Sequence, residues 1–463
     1  MKNVISAAVI LLGAAATASA QQTSTTREAP PPLGTPKAFH IPPRHDITLA
    51  NGMKVTLVQF GKIPKASIYL ELRTGHIDET ATQTWLADVT TDLMREGTTT
   101  RSATQIADDV AGMGGELSTS ASDDMSQIGG AVLGERAADM VKLVADVAQH
   151  PLLPESELAR IKANEARNLA IALSQPQPVA QEAYARQVYG DHPYGRAFPT
   201  ATMLNGYTIA QVRDFYTRNF GAARAHLYVV GVFDPASVER AARDAFSGWR
   251  AGTRPTVDPP KPSTKRTVTL IDRPGSVQST LILGVPVPGP TSADYIQLNV
   301  MDALLGGTFG SRITTNIREQ KGYTYSPYSY VSTHYHDANW SEQADVTTAV
   351  TGASLKEIFG EIARLQSAAP GEPELSGIKN NMIGLFTLRN ASRGGIVNQL
   401  SFVDEQGLGN SYLADYVKHV LAVTPAEVQH MAQTYLKPDH MTLVVVGDRK
   451  TVDPQLAPYR VTK

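Results

Sequence analysis

The chain contains no cysteine. Disulfides, thiolate metal sites and cysteine nucleophiles are therefore excluded. It also lacks an excess of either charge: 42 Lys and Arg stand against 44 Asp and Glu, a net charge of −2. With no basic cluster, neither nucleic acid nor an anionic membrane is supported as a partner. After the first twenty residues no run is long and apolar enough to cross a bilayer. No G-x-S-x-G turn occurs, so a self-sufficient serine hydrolase has no signature here. What remains is an ordinary globular composition over 463 residues, long enough for two or more domains.

Lys2, the mostly apolar run Val4 to Ala16 and the small residues Ala18-Ser19-Ala20 read as a targeting segment over residues 1–20, cleaved after Ala20. The alternative is a retained anchor, for which the run is short and Ala-rich. Export across the inner membrane of a Gram-negative cell predicts a periplasmic protein. Residues 21–45 carry Ser, Thr and the Pro30-Pro31-Pro32 run, and read as a disordered or extended leader. Order is expected from about Asp46. Ile47 to Phe60 reads as two strands joined at Asn51-Gly52, and Ser67 to Leu72 as another.

Residues 252–265 hold Pro255, Pro259, Pro260 and Pro262, the composition of a linker between domains 46–251 and 266–463. The two halves repeat. Thr208-Ile209-Ala210-Gln211-Val212 matches Thr424-Pro425-Ala426-Glu427-Val428, and Leu227 to Gly231 matches Leu443 to Gly447; 424 − 208 and 447 − 231 are both 216. Glu157-Leu158-x-x-Ile161-Lys162-x-Asn164 matches Glu374-Leu375-x-x-Ile378-Lys379-x-Asn381 at 217. Two copies of one fold follow. Each copy mixes strands with helices, which predicts an α+β class of two homologous α/β-sandwich-like domains with mainly antiparallel sheets.

One stretch in the second half carries chemistry. Gly306-Gly307-Thr308-Phe309-Gly310-Ser311-Arg312 reads as a glycine-rich turn, followed by a short helix with Ile313 and Ile317 one turn apart. Gly322 ends that helix, and Tyr323, Tyr325, Tyr328 and Tyr330 predict a strand. Arg318 then lies near a helix end and Tyr325 on the next strand. A guanidinium and a phenol can both donate to a carbonyl oxygen that becomes negative in acyl transfer.

This stretch resembles the C-terminal-half signature of the pitrilysin/insulinase superfamily of zinc metallopeptidases, in its small, processing-peptidase-like branch. The resemblance extends from about Ile47 to the end. It implies that Arg318 and Tyr325 hold the substrate and polarise the scissile carbonyl. It also implies two domains closing like a clam around an extended peptide. Gly114 to Thr119 resembles the family's edge strand, on which a peptide lies by strand addition, and Asp191 to Arg196 its turn after a long helix. The departure is at the metal. Catalytic members carry H-x-x-E-H on a helix, two His for zinc and a Glu as general base. Here the matching helix reads Trp85 to Leu93, with Asp88 and Asp92 in place of the His and Thr91 in place of the base. Glu165 aligns with the third ligand; its repeat counterpart is Met382. Asp88, Asp92 and Glu165 could together hold a hard cation, or be a solvated, salt-bridged acidic face. His334 and His336 share a strand face but lack a third ligand, and read as a polar strand end.

The resemblance thus implies no cofactor in this chain. It implies a homologous partner subunit that carries H-x-x-E-H and zinc, with a peptide as substrate. The chain would be the non-zinc subunit of a periplasmic heterodimeric metallopeptidase. A non-enzymatic structural or peptide-holding subunit of a larger complex is the alternative.

Overall fold

Asn51-Gly52 makes the first turn as expected. Gly52 takes φ +89°, a left-handed conformation that suits glycine, and Leu49 and Met53 close the loop through a 2.9 Å bond. A computed structural model describes residues 42–460, except 257 and 410. The targeting segment and most of the leader expected over 1–45 lie outside the described residues. The first strand starts slightly earlier than Asp46, because Arg44 is tied both to Asp46 and to Asp404 of the second half.

The first half holds β1 (Arg44–Thr48), β2 (Lys54–Gln59), β3 (Lys65–Leu72), β4 (Ser118–Ala121), β5 (Ser126–Leu133) and β6 (Ala225–Gly231), in spatial order β1-β2-β6-β3-β5-β4. The second holds β7 (Thr267–Asp272), β8 (Gln278–Val287), β9 (Tyr328–His334), β10 (Asp337–Thr347) and β11 (Thr442–Gly447), in order β7-β11-β8-β10-β9. Apart from β1 the two orders are the same. In each, one pair is parallel, β2 with β6 and β7 with β11, and the rest are antiparallel. This is the α+β, repeat-built architecture that the sequence predicts. The described residues between 252 and 265 carry neither helix nor strand.

Both faces of each sheet are buried. Along β6, Leu227 and Val229 face the first half's own helices, while Tyr228 and Val230 join the second half's core. Along β11, Leu443 and Val445 face their own helices, while Val444 and Val446 pack with Ala180. The reason is an exchange of helices. The helix Pro176–Tyr189 of the first half lies on β8 and β11, and the helix Arg393–Glu405 of the second lies on β3 and β6. Their starts differ by 393 − 176 = 217, the offset that relates Glu157 to Glu374, so the exchange is reciprocal. The approach is close: a methyl on Gly284 would stand 2.2 Å from the Tyr184 hydroxyl. Between the halves there is thus packed helix rather than an open cleft, unlike the clam-like closure that the resemblance implies.

Because each sheet is completed by the other half's helix, Ala180→Asp should place an unpaired charge in a fully buried contact and cost roughly 3 kcal/mol or more. Denaturant unfolding would measure it. Probes in the two halves should still report one shared transition.

Candidate functional site

The helix Leu86–Met94 carries Asp88, Thr91 and Asp92, which the resemblance sets against a zinc-binding motif. Its N-terminus has no cap of its own, and Trp85 before it takes φ +67°. Glu79 supplies the cap: its two carboxyl oxygens accept from Trp85 N (3.1 Å) and Ala87 N (2.8 Å). Trp85 is held in turn by its indole N–H on Ala197 O (2.9 Å) and by the edge of Phe198.

From this anchored helix Asp88 reaches His76. Asp88 Oδ2 lies 2.8 Å from His76 Nε2, and Asp123 Oδ1 lies 3.1 Å from His76 Nδ1. Burial alone would lower the His76 pKa. The hydrogen bonds to Asp123 and Asp88, and the charges of Asp88 and Glu79, instead raise it to about 11. At neutral pH it is an imidazolium with both nitrogens donating. Burial pushes Glu79 up to about 8, against the pull of His76. Thr91 is buried, and its hydroxyl donates to Asp88 O of its own helix (3.1 Å). Asp92 pairs with Arg95 (3.3 Å) and shares a hydrogen bond with Glu165, which needs a proton on one of the two. Burial raises both carboxyls. Asn168 also donates to Glu165.

Among the described residues, the one group of three or more His, Asp or Glu side chains close enough together for one ion is His76, Glu79 and Asp88, within 4.8 Å. Neither Asp92 nor Glu165 belongs to that group. The group does not fit a catalytic zinc. It has a single imidazole, both of whose nitrogens are held by aspartates, and Glu79 is committed to the helix cap. A protonated side chain supplies the positive charge that these carboxylates need. His76 had no motif to mark it in the sequence, since it meets Asp88 only through folding.

The second predicted pair is brought together. The short helix after the glycine-rich turn is π-type over Thr314–Gln320. Asn316 fixes it to Glu361 (2.7 Å) and Glu357 (2.9 Å), and Arg312 binds Glu374 through two bonds (2.7 and 2.8 Å). Gly322, at φ +64°, turns the chain back, with its N–H on Arg318 O. Arg318 then lies 4.2 Å from the Phe309 ring centre and 5.3 Å from that of Tyr325, with Nη1 2.9 Å from Glu319. Such stacking holds a guanidinium while leaving its donors usable.

Tyr325 is not on a strand, contrary to expectation. Thr324 bridges Val346, but the regular ladder resumes only at Tyr328 opposite Gln343. Three residues, Tyr325 to Pro327, thus face two, Ala344 and Asp345. That one-residue excess is a bulge, and Pro327 has no N–H for the ladder. The bulge turns Tyr325 outward, 79% exposed beside the 73% exposed Phe309. The edge strand expected over Gly114 to Thr119 is found later, as β4 (Ser118–Ala121), bonded to β5; residues 114–117 form a turn that leads into it. His334 lies at the β9–β10 turn, stacked on Tyr194 (4.1 Å) and paired with Asp123 (3.5 Å). It is part of the contact between the halves.

The His76 assignment has a pH signature. A folded-state pKa above the ordinary value stabilises the fold fully below about pH 6.5, and that contribution is lost as pH rises towards 11. The raised Glu79 acts in the same direction. The melting temperature should therefore fall between pH 7 and pH 10, and fall less steeply in His76→Gln, as calorimetry across that range would show.

The sequence and the fold resemble those of known proteins. The family description "Insulinase (Peptidase family M16)" matches residues 54–201, and "Peptidase M16 inactive domain" matches residues 206–382. A protein of Mycobacterium bovis described as an uncharacterized zinc protease is 26% identical over 88% of this chain and 95% of its own length. A zinc protease of Streptomyces coelicolor, described in the same way, is 23% identical over 87% and 89%. Among solved structures, a peptidase M16 inactive domain from Pseudomonas fluorescens superposes with a TM-score of 0.80 at 24% identity, covering 88% of this chain and 98% of that one. A protease from Helicobacter pylori gives 0.82 at 18%, over 88% and 100%. These likenesses carry the fold. Together with the matched residues, they make this chain a member of the insulinase (M16) peptidase family, one whose sequence contains no H-x-x-E-H.

Proposed function

We propose that the chain is the non-zinc subunit of a periplasmic heterodimeric zinc metallopeptidase. A homologous partner supplies H-x-x-E-H and its zinc. This chain supplies Arg318 and Tyr325, which grip and polarise the carbonyl of the bound peptide. The observation that carries this reading is the contrast between the two sites. Arg318 is held between two exposed aromatic rings with donors to offer, while the metal position is filled by an imidazolium and its carboxylates. A subunit without use for carbonyl polarisation has no reason to keep the first arrangement. The free edge of β4 gives an extended peptide a place to add as a strand. No helix of the described residues is long and apolar enough to cross a membrane.

A second reading, a non-enzymatic structural or peptide-holding subunit, draws on the charge-satisfied metal position and on a fold likeness to a chain of Candida albicans complex III2 (TM-score 0.75, 13% identity, 90% of this chain and 100% of that one).

Purified alone, the chain should retain no stoichiometric zinc and cleave no peptide; one tightly bound zinc by elemental analysis would overturn the assignment. Reconstituted with its partner, Arg318→Ala or Tyr325→Phe should lower turnover by something on the order of 10²-fold with assembly intact. Full turnover in both variants would favour the structural reading.

A further inference from the structure

Glu342 lies in the middle of β10, 1% exposed, and neither of its carboxyl oxygens has a hydrogen-bond partner. The repeat shows what the fold requires there. In the second sheet Glu342 pairs with Leu283, which pairs with Leu443. In the first sheet the same register runs Ile128, Leu70, Leu227. Ile128 is fully buried, so an alkyl side chain satisfies this place in the architecture. A carboxyl loses hydration there and gains no packing.

A second buried acid stands beside it. Asp302 Oδ1 accepts from Ser329 Oγ (2.5 Å) and from the Trp340 indole N–H (2.8 Å). The backbone fits tightly around both acids. A methyl on Gly306 would lie 2.5 Å from Ser329 Oγ and 2.6 Å from Glu342 Oε2, and one on Gly307 would lie 2.6 Å from Asp302 Oδ2. Both glycines belong to the π-helical turn Ala303–Gly307, a type of turn found disproportionately at functional sites. Burial raises Asp302 to about 6, while burial and the like charge of Asp302 raise Glu342 well above the usual carboxylate range. No cationic side chain contributes to either shift.

We propose that Asp302, Glu342 and Ser329 form a binding site for a hard metal cation beneath the Gly306-Gly307 turn. Oxygen donors without imidazole or thiolate select ions such as Ca²⁺ or Na⁺ over zinc. A cavity of about 380 Å³ has Asp302, Gly307, Thr308 and Ser329 in its wall, and so reaches two of the three groups. The turn leads directly into Phe309, the ring on which Arg318 rests, so a cation here would brace that platform.

The test uses the full chain, chelator-treated and desalted, with calcium, sodium and magnesium chlorides as separate probes. Melting temperature and bound metal after desalting are read together. One of the ions should raise the melting temperature by several degrees, and Glu342→Gln should lose most of that rise. Glu342→Ile, the residue of the Ile128 position, should be insensitive to every ion and at least as stable as the ion-free wild type. No response of the wild type to any of the three ions would overturn the proposal. So would a response that either variant keeps in full.

Discussion

The reciprocal exchange of the helices Pro176–Tyr189 and Arg393–Glu405 is the interaction on which the rest of the molecule depends. Either sheet alone would leave an apolar face in water: Tyr228 and Val230 on one, Val444 and Val446 on the other. Burial of such faces is the main favourable term in folding. Each half can gain it only by accepting the other's helix. The polar contacts at the seam follow from that packing. Asp404, on the donated helix, meets Arg44 and Tyr228, at 3.0 and 2.9 Å. Tyr189, on its counterpart, donates to Asp337 at 2.6 Å.

With the halves locked, the two chemical sites have fixed and different characters. The first is electrostatically closed. Its carboxylates, brought together by the Glu79-capped helix and the Asp123 loop, are neutralised by His76. The second is open. The π-helical segment and the bulge at Tyr325 to Pro327 both depart from regular geometry, and both departures present side chains to solvent. Irregular backbone of this kind is retained where it aims a functional group. Glu342, whose carboxyl oxygens have no hydrogen-bond partner, lies with Asp302 beneath the neighbouring Gly306-Gly307 turn, so the least regular part of the second half also holds a buried and unsatisfied acid.

Much of the fold is legible in the residues. The 216-residue offset implies two like sheets, and both have the same strand order. The hairpin at Asn51-Gly52 and the stop at Gly322 follow from the backbone freedom of glycine. The absence of an H-x-x-E-H sequence is equally plain, because such a motif is local, and Asp88, Thr91 and Asp92 lie within one stretch of five residues on one helix. Arg318 and Tyr325 can be nominated for the same reason, by their spacing within a single stretch.

Other features are decided only in three dimensions. Val179, Ala180 and Ala183 would read the same on a helix packed against its own sheet, so nothing in them announces a helix donated to the other half. Tyr325 alternates as a strand residue should, and only the register of β10 against β9 forces it out. Glu79 is near His76 in sequence, but the carboxylates that hold its two nitrogens, Asp88 and Asp123, are brought to it only by folding. Glu342 looks like one polar residue among several in β10, until the pairing with Leu283 places it where the twin sheet holds Ile128. Local order and chemistry are written in neighbouring residues, because helix and turn propensities and motif spacings act over a few positions. Which charges meet, and which are left unpaired, is set by contacts between residues far apart in the chain, and so by the tertiary structure alone.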